Sequence, residues 1–297
     1  MAATGRPEVK AFYDSKTGSI QYVAACPTTK KAVIIDPVWD FDEKAARVCS
    51  TNADEIAGYV KSAGLEVVRI LDTHPHADHF SAAPYLKQKL GAPTAIGEHV
   101  VDVQKLWKKI YNLPDSFDTD GSQWDHLFKD GETFEIGDLE TRVMFSPGHT
   151  LASISYVIGD AAFVHDTLMM PDSGTSRADF PGGNAHALWA SIQRIMALPD
   201  ETRVFVGHDY GRGGRKPAWE STVRQQRENN IHLKGGITEA EFVRLREARD
   251  EELPLPQLML AALQVNIRGG RLPEAEANGV SYLRIPLNQF EIGRAHV

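Results

Sequence analysis

Three imidazoles and one carboxylate lie within six residues of this chain, in the run His74-Pro75-His76-Ala77-Asp78-His79. Side chains two apart on an extended segment point the same way, so His74 and His76 can face one centre. A turn would redirect Asp78 and His79 toward a neighbouring centre, so the run could serve two metal positions. The alternative is a polar loop whose histidines only pair with backbone, which is the better interpretation of a lone histidine. Here the number and spacing of the side chains favour a metal site.

Three further segments carry candidate ligands, and each follows an apolar stretch typical of a strand. They contain His149 in residues 146–150, Asp166 beside His165, and His208 in residues 207–210. Any one of them alone would fit a helix cap or a polar core group. Together with the six-residue run, they predict a metal site assembled at the ends of several strands.

Short strands and helices must position these residues. Apolar alternation predicts strands at residues 9–13, 20–26, 32–36, 67–71, 133–136, 139–145, 154–158, 161–164 and 204–206, with Pro37 ending the third. Helical spacing predicts helices at residues 53–63, 80–90, 100–110 and 185–198. Residues 217–250 read as mostly helical and charged, with 241–252 as a solvated face. The order indicates two β-rich parts with helices between and after them.

Composition bounds the class of protein. The 297 residues suffice for one large domain or two small ones, and no internal repeat or low-complexity linker divides them. The net charge of -8 argues against nucleic acid or an anionic membrane surface as a partner. Residues 1–10 carry no leader pattern, so we expect a cytoplasmic protein. Cys26 and Cys49 are too few for a disulfide framework, and we expect two buried free thiols.

With these motifs the chain resembles the metallo-β-lactamase superfamily, whose metal ligands run H-x-H-x-D-H and then H, D and H. The resemblance covers roughly residues 12–230 and implies an α/β fold, a four-layer αββα sandwich with the site where the two sheets meet. We expect a catalytic domain over 9–235 and a helical C-terminal extension over 236–290 packed on it. Residues 291–297 are suspected to be non-native, because Glu291–Val297 can be back-translated into a common sequencing-adaptor read.

Within the superfamily, four segments look like the persulfide dioxygenase branch: residues 73–79, 166–168, 174–180 and 208–210. Residues 265–268 and 285–287 look like its longer bacterial form. The resemblance implies one non-heme Fe(II) per chain, held by His74, His149 and Asp166. His76, Asp78, His79 and His208 would then orient ligands or form a second site. Two departures are a histidine at position 165, where the superfamily usually has glycine, and an arginine segment without the cysteine of shorter relatives.

The implied activity is iron-dependent oxidation of glutathione persulfide by O₂ and water to glutathione and sulfite. The alternative is a glyoxalase II-like hydrolase of glutathione thioesters with two Zn(II) per chain, in which all these residues would be ligands and Asp166 would bridge. A third interpretation is a metal-bearing binding or regulatory protein without turnover. A homodimer is one candidate assembly.

Substrate recognition rests on the resemblance, because the two carboxylates of glutathione favour cationic side chains. The candidates are Arg177, the loop residues Arg212, Arg215 and Lys216, and Tyr210 as a hydrogen-bonding group. The alternative role for Arg177 is a structural pair with Asp172 or Asp179.

Overall fold

The computed structural model describes residues 5–290, which form two six-stranded sheets, a smaller three-stranded sheet and helices around them. The strands are β1 (Glu8–Tyr13), β2 (Ile20–Ala25), β3 (Lys31–Ile35), β4 (Val38–Asp42), β5 (Arg47–Cys49), β6 (Glu66–Leu71), β7 (Phe80–Ser81), β8 (Thr94–Gly97), β9 (His126–Phe128), β10 (Thr133–Ile136), β11 (Leu139–Phe145), β12 (Ile154–Ile158), β13 (Ala161–His165), β14 (Arg203–Val206) and β15 (Glu220–Thr222). The α-helices are α1 (Thr51–Ser62), α2 (Ala83–Leu90), α3 (Val100–Ile110), α4 (Ala185–Met196), α5 (Val223–Asn229), α6 (Glu239–Asp250) and α7 (Met259–Asn266).

The two large sheets follow the two β-rich parts of the sequence. The first has the order β1-β2-β3-β6-β8-β9, antiparallel at β1 to β3 and parallel beyond. The second has the order β10-β11-β12-β13-β14-β15, in which only β13 and β14 pair in parallel. The carboxyl ends of β6, β11, β13 and β14 therefore carry the predicted ligand segments.

Alternation along β2 shows how the layers form. Ile20, Tyr22 and Ala24 belong to the core between the two sheets, whereas Val23 and Ala25 pack with α1 and α2 on the outer face. On the other side, the apolar face of α4 packs against the second sheet, and α6 packs against α4. The order of layers is helices, sheet, sheet, helices, as expected for the αββα sandwich.

The C-terminal residues pack onto this sandwich. Leu263 and Ile267 of the α7 region contact the core around Trp107 of α3, and Val265 packs with Phe80. Helix α6 buries Phe242 against the sheet core. Between Arg271 and Phe290 the described chain has no helix or strand, so the extension is helical only as far as Asn266.

Most predicted elements are confirmed, with corrections at particular residues. The helix predicted from residue 80 begins at Ala83, because Phe80–Ser81 pair with β4 and a proline occupies the first turn of α2. The strand run does not stop at Pro37, since β4 follows it directly. The solvated face predicted for 241–252 is wrong for Phe242, Val243, Arg246 and Asp250, which are buried.

Two other expectations have mixed outcomes. Cys26 is buried, but Cys49 is exposed at the end of a short edge strand, so the expectation of a buried thiol is wrong there. No helix within residues 5–290 is long and apolar enough to cross a membrane. A cytoplasmic location stays a prediction. The suspected tail, 291–297, lies outside the described residues.

Candidate metal centre

The predicted ligand segments meet at the edge where the two large sheets approach each other. His74 and His76 follow β6 of the first sheet, and His149, Asp166 and His208 follow β11, β13 and β14 of the second. These side chains are almost completely buried. Strands that end at a common edge therefore bring together residues far apart in sequence.

Three donor atoms converge at this edge. Asp166 Oδ2 lies 3.9 Å from His74 Nε2 and 3.6 Å from His149 Nε2. Protein donors about 2.0 to 2.2 Å from one ion lie about 3 to 4 Å apart, so the spacing fits a shared metal. His74 Nε2 is buried and makes no hydrogen bond to the described residues. A buried nitrogen without a partner is costly unless a metal or similar group satisfies it. Two imidazoles and a carboxylate are also the donor set that suits non-heme Fe(II).

Hydrogen bonds on the far side of each ring fix its tautomer. His149 Nδ1 donates to the carbonyl oxygen of Arg177 at 2.9 Å, which leaves Nε2 unprotonated. Thr73 Oγ1 donates to Asp36 Oδ2 at 2.8 Å and so accepts from His74 Nδ1 at 3.0 Å. Both rings therefore present a lone pair to the centre.

Burial keeps these two candidate ligands neutral. It lowers the pKa of His74 well below the usual value, and the neighbouring imidazoles lower it further. Burial also lowers the pKa of His149, despite the charge of Asp166. For Asp166, burial opposes ionisation, but the charge of His208 outweighs it and lowers the carboxyl pKa. Neutral imidazoles and an ionised carboxylate are the protonation states that a metal requires.

His208 links two carboxylates. Its Nδ1 lies 2.6 Å from Asp166 Oδ1, and its Nε2 lies 2.6 Å from Asp78 Oδ2. Burial alone would lower the pKa of His208, but the charges of Asp166 and Asp78 raise it well above the usual value. Both ring nitrogens therefore donate, which fixes the orientation of Asp166.

A second group of possible donors lies beside the first. Ligand atoms of His76, Asp78 and His79 lie within 4.8 Å of one another. His76 Nε2 is 3.0 Å from Asp36 Oδ1, but outside hydrogen-bonding geometry. Burial would lower the pKa of His76, but Asp36 outweighs it and raises the pKa to about 8. His208, which a dinuclear site would need, is not part of this group.

Two residues at the same edge have a strained backbone. Asp36 and His165 have φ values of 50° and 39°, which non-glycine residues rarely adopt. His165 Nε2 contacts the hydroxyls of Ser146 and Thr167 at 3.0 Å each, and burial lowers its pKa to about 3. Glycine is required at position 207, because a Cβ there would lie 2.7 Å from Asp166 Oδ1. The histidine at position 165 is thus a neutral, hydrogen-bonding residue beside the candidate ligands.

The loop that orients His149 is held by helix α6. Asp250 Oδ2 accepts from the backbone N–H of Ala178 at 2.9 Å, and Arg246 Nη1 donates to the Thr175 carbonyl at 3.0 Å. Arg246 and Asp250 also bond to each other at 2.7 Å. The carbonyl of Arg177, which accepts from His149, lies between these two anchors.

A cavity of about 780 Å³ opens onto the metal centre. Its lining includes His149, Asp166, Asp78 and His208, together with Arg177 and the buried Arg246 of α6. Its rim includes the exposed side chains of Tyr210, Arg212 and, on α6, Arg249. Tyr210 is 67% exposed. Arg215 and Lys216, predicted as substrate contacts, lie outside this lining. The guanidinium of Arg215 is bound to Asp172 and Asp209, and Lys216 points to solvent-exposed surface.

The arginines of the cavity differ in what they already bind. Arg177 Nε and Nη2 donate to Asp179 at 2.6 and 2.7 Å. This is the structural pair expected as the alternative role of Arg177. Arg246 is bound to Asp250. Among residues 5–290, the Arg212 side chain donates only to the Asp172 backbone carbonyl, and Arg249 is exposed on α6. Arg249 was not predicted, because on a charged helix it resembles any solvated residue.

The family is decided by a match over most of the sandwich. A family model described as the metallo-beta-lactamase superfamily matches residues 19–208, more than half of the chain. The chain belongs to this superfamily. The expected family and fold are therefore confirmed.

The relatives of this chain carry names that point to different activities. The chain is 65% identical over 285 residues to the beta-lactamase hydrolase-like protein of Xylella fastidiosa (strain Temecula1), covering 96% of this chain and 66% of that protein. It thus spans slightly less than two thirds of that relative. It is 45% identical to glyoxylase B2 of Dictyostelium discoideum, covering 97% of this chain and 99% of the relative. It is 26% identical to the mitochondrial persulfide dioxygenase ETHE1 of Bos taurus, covering 88% of each.

A solved structure from the superfamily is similar over most of the chain. It is the crystal structure of ETHE1 from Myxococcus xanthus, with a TM-score of 0.71 and 28% identity, covering 89% of this chain and 100% of that one. The superfamily is thus established, whereas the branch is a matter of proposal.

Proposed function

We propose that this chain is a persulfide dioxygenase with one iron held by His74, His149 and Asp166. It would convert glutathione persulfide, O₂ and water to glutathione and sulfite, with release of two protons. The observation that carries the proposal is the use of both His208 nitrogens by Asp166 and Asp78. Because Asp78 of the second group is already bonded to His208, we take His74, His149 and Asp166 as the set that holds a single ion, as in the facial triads of oxygen-activating iron enzymes.

The relatives support the proposal at the level of similarity. The bovine persulfide dioxygenase and the Myxococcus structure align over nearly the whole described chain. Because the chain spans only 66% of the Xylella protein, the activity of that longer protein is a separate question.

The chemistry divides between the metal and the chain. When bound, Fe(II) would supply open coordination positions for a sulfur anion and O₂ and exchange electrons with them. Asp166 supplies the only anionic ligand, and the hydrogen bonds to Arg177 O and Thr73 Oγ1 orient His149 and His74. The protonated His208 holds a proton on Nδ1, hydrogen-bonded to Asp166.

The cavity above the centre fits a small anionic thiol derivative. Arg212 and Arg249 are the two rim arginines whose side chains make no bond to a carboxylate within residues 5–290. They are therefore the groups we assign to the glycine and glutamate carboxylates of glutathione. Phe180 and Met169 line the wall near the ligands and would exclude water from the sulfur. A homodimer stays a prediction for the assembly.

A dinuclear hydrolase of glutathione thioesters is the second candidate. The specific observation in its favour is the group of His76, Asp78 and His79, whose donors could hold a second ion. The 45% identity to a protein named glyoxylase B2 also favours it. In that enzyme Asp166 would bridge two zinc ions, and His208 would have to leave its present partners to bind one of them.

The two candidates are separated by assaying one purified preparation, loaded with either Fe(II) or Zn(II), on two substrates. The dioxygenase proposal predicts sulfite formation from glutathione persulfide with Fe(II) and no appreciable hydrolysis of S-lactoylglutathione with either metal. Thioester hydrolysis with two zinc ions and no sulfite with iron would reassign the chain to the hydrolase.

A further inference from the structure

One buried amide connects the C-terminal helix to the backbone of the six-residue metal run. Asn266, at the end of α7, donates from Nδ2 to the carbonyl oxygens of His76 and His79, both at 2.7 Å. Its Oδ1 accepts from the backbone N–H of Ser81 at 2.8 Å. One side chain thus satisfies three backbone groups of a buried turn, from 190 residues away in sequence.

We propose that Asn266 is a positioning residue for the metal centre, through the turn that carries Asp78. The turn between β6 and β7 has no regular secondary structure, and the carbonyls of His76 and His79 accept from the Asn266 side chain. Asp78 accepts from His208 Nε2, and His208 Nδ1 donates to Asp166. By fixing the backbone at His76 and His79, Asn266 therefore also fixes the relative positions of Asp78, His208 and the Asp166 carboxylate. The inference rests on the proposed metal centre, but it does not depend on which reaction the centre catalyses.

The same helix offers a matched control. Gln264 is also buried, at 2% exposure like Asn266. Its Nε2 donates to the carbonyls of Leu260 and Arg284, and its Oε1 accepts from the Arg284 N–H. The two amides thus have the same number and type of bonds, but within residues 5–290 the side-chain hydrogen bonds of Gln264 all go to the C-terminal segment, at Leu260 and Arg284. Asn266→Asp and Gln264→Glu each remove both donors and keep one acceptor.

The experiment titrates the metal-free full chain with Co(II), followed by visible absorption, and measures Fe(II) affinity anaerobically against a chelator. Removing a residue that orients ligands costs about 10- to 100-fold in metal affinity, so Asn266→Asp should weaken binding at least about tenfold and alter the Co(II) spectrum. The metal affinity of Gln264→Glu should stay within about twofold of the wild type, and its Co(II) spectrum should be unchanged. This should hold even if its melting temperature falls by as much as that of Asn266→Asp.

Equal metal affinity in both variants would overturn the inference, as would an equal loss in both, since that loss would come from general loosening of α7. Asn266→Ala and Gln264→Ala repeat the comparison without a buried charge. Failure of both Asn266 variants to fold while both Gln264 variants fold would also overturn it, because Asn266 would then serve the fold as a whole. A wild-type chain that binds neither metal would contradict the proposed function itself.

Discussion

Asp166 and His208 share a 2.6 Å hydrogen bond, and through one imidazolium it connects Asp166, the proposed ligand, to a second carboxylate, Asp78. The bond occupies Asp166 Oδ1 and leaves Oδ2 facing His74 and His149. The carboxylate is therefore oriented for one ion on one side, which is why we treat the centre as mononuclear.

Replacing Asp166 with asparagine should remove iron binding. The substitution keeps the shape of the side chain but removes the only anionic donor of the triad, leaving Fe(II) with neutral ligands. We expect an affinity loss of more than about 100-fold, beyond the range seen for residues that only orient ligands. Metal content after dialysis measures it. Iron retained at the wild-type level would mean that another carboxylate, such as Asp78, is the ligand.

Asp78→Ala and His208→Ala should each keep one iron per chain. Because these residues orient Asp166 in our account, their removal should weaken metal affinity or activity by about 10- to 100-fold without abolishing either. Oxygen consumption in saturating Fe(II) is the measurement. Loss of one of two metals, together with background activity on every substrate, would indicate that both residues are ligands.

Arg249→Ala should raise KM for glutathione persulfide while leaving kcat nearly unchanged, because the side chain lies at the cavity rim away from the ligands. An exposed ion pair contributes up to about 1 kcal/mol, equivalent to roughly fivefold in KM. Arg244→Ala is the control, since Arg244 is an exposed arginine of the same helix outside the lining. A KM that changes equally in both variants would indicate a nonspecific effect of charge.

Arg177→Ala should mainly destabilise the protein. The guanidinium makes two bonds to Asp179, whose side chain is only 6% exposed. Removing one partner of a buried pair leaves an uncompensated charge and costs about 3 to 5 kcal/mol. Denaturant unfolding of the metal-free chain measures this cost. Normal stability with a strongly raised KM would restore the predicted role of Arg177 as a substrate clamp.

Stability of the metal-free chain should fall as the pH is lowered below about 6.5, partly through His232. Burial, followed by the charge of Arg246, lowers the pKa of His232 to about 3, and its Nδ1 accepts from the Thr175 N–H at 3.0 Å. The unfolded chain binds a proton near pH 6.5 and the folded chain only near pH 3. The free energy of unfolding therefore decreases as pH falls between these values, by at most about 1.4 kcal/mol per pH unit.

His232→Asn isolates this contribution, because an amide can accept the same hydrogen bond but does not titrate. Between pH 6.5 and 5, the free energy of unfolding of the variant should decrease less steeply than that of the wild type. Denaturant titrations of both proteins at each pH measure it. Identical slopes in the two proteins would assign the pH dependence to other histidines.

The sequence was most informative where a local pattern sufficed. Strand alternation depends on neighbours along the chain, and most of the strands expected from it agree with the structure. The six-residue run does supply donors to two neighbouring groups, but the expected division is wrong for His76, whose donor atoms lie with those of Asp78 and His79 and not with His74. The residues that hold the site in place from distant parts of the chain could not be predicted from such local patterns. Asp36 reaches the site from the end of a strand 37 residues before Thr73, and Asn266 reaches it from a helix near the C-terminus.

The functions of cationic residues were harder to assign for a related reason. Arg215 and Arg249 have the same chemistry in the sequence, but tertiary packing gives the first two carboxylate partners and leaves the second at the cavity rim. Short strands such as β7 and β8 were also missed, because two to four residues carry too little alternation to stand out.

The most direct test of the central claim is the stoichiometry of metal and oxygen in one preparation of the full chain. Our account predicts one iron per chain, one O₂ consumed per sulfite formed from glutathione persulfide, and activity that is lost on iron removal and restored by Fe(II) alone. Two zinc ions per active chain, with thioester hydrolysis and no oxygen consumption, would contradict it.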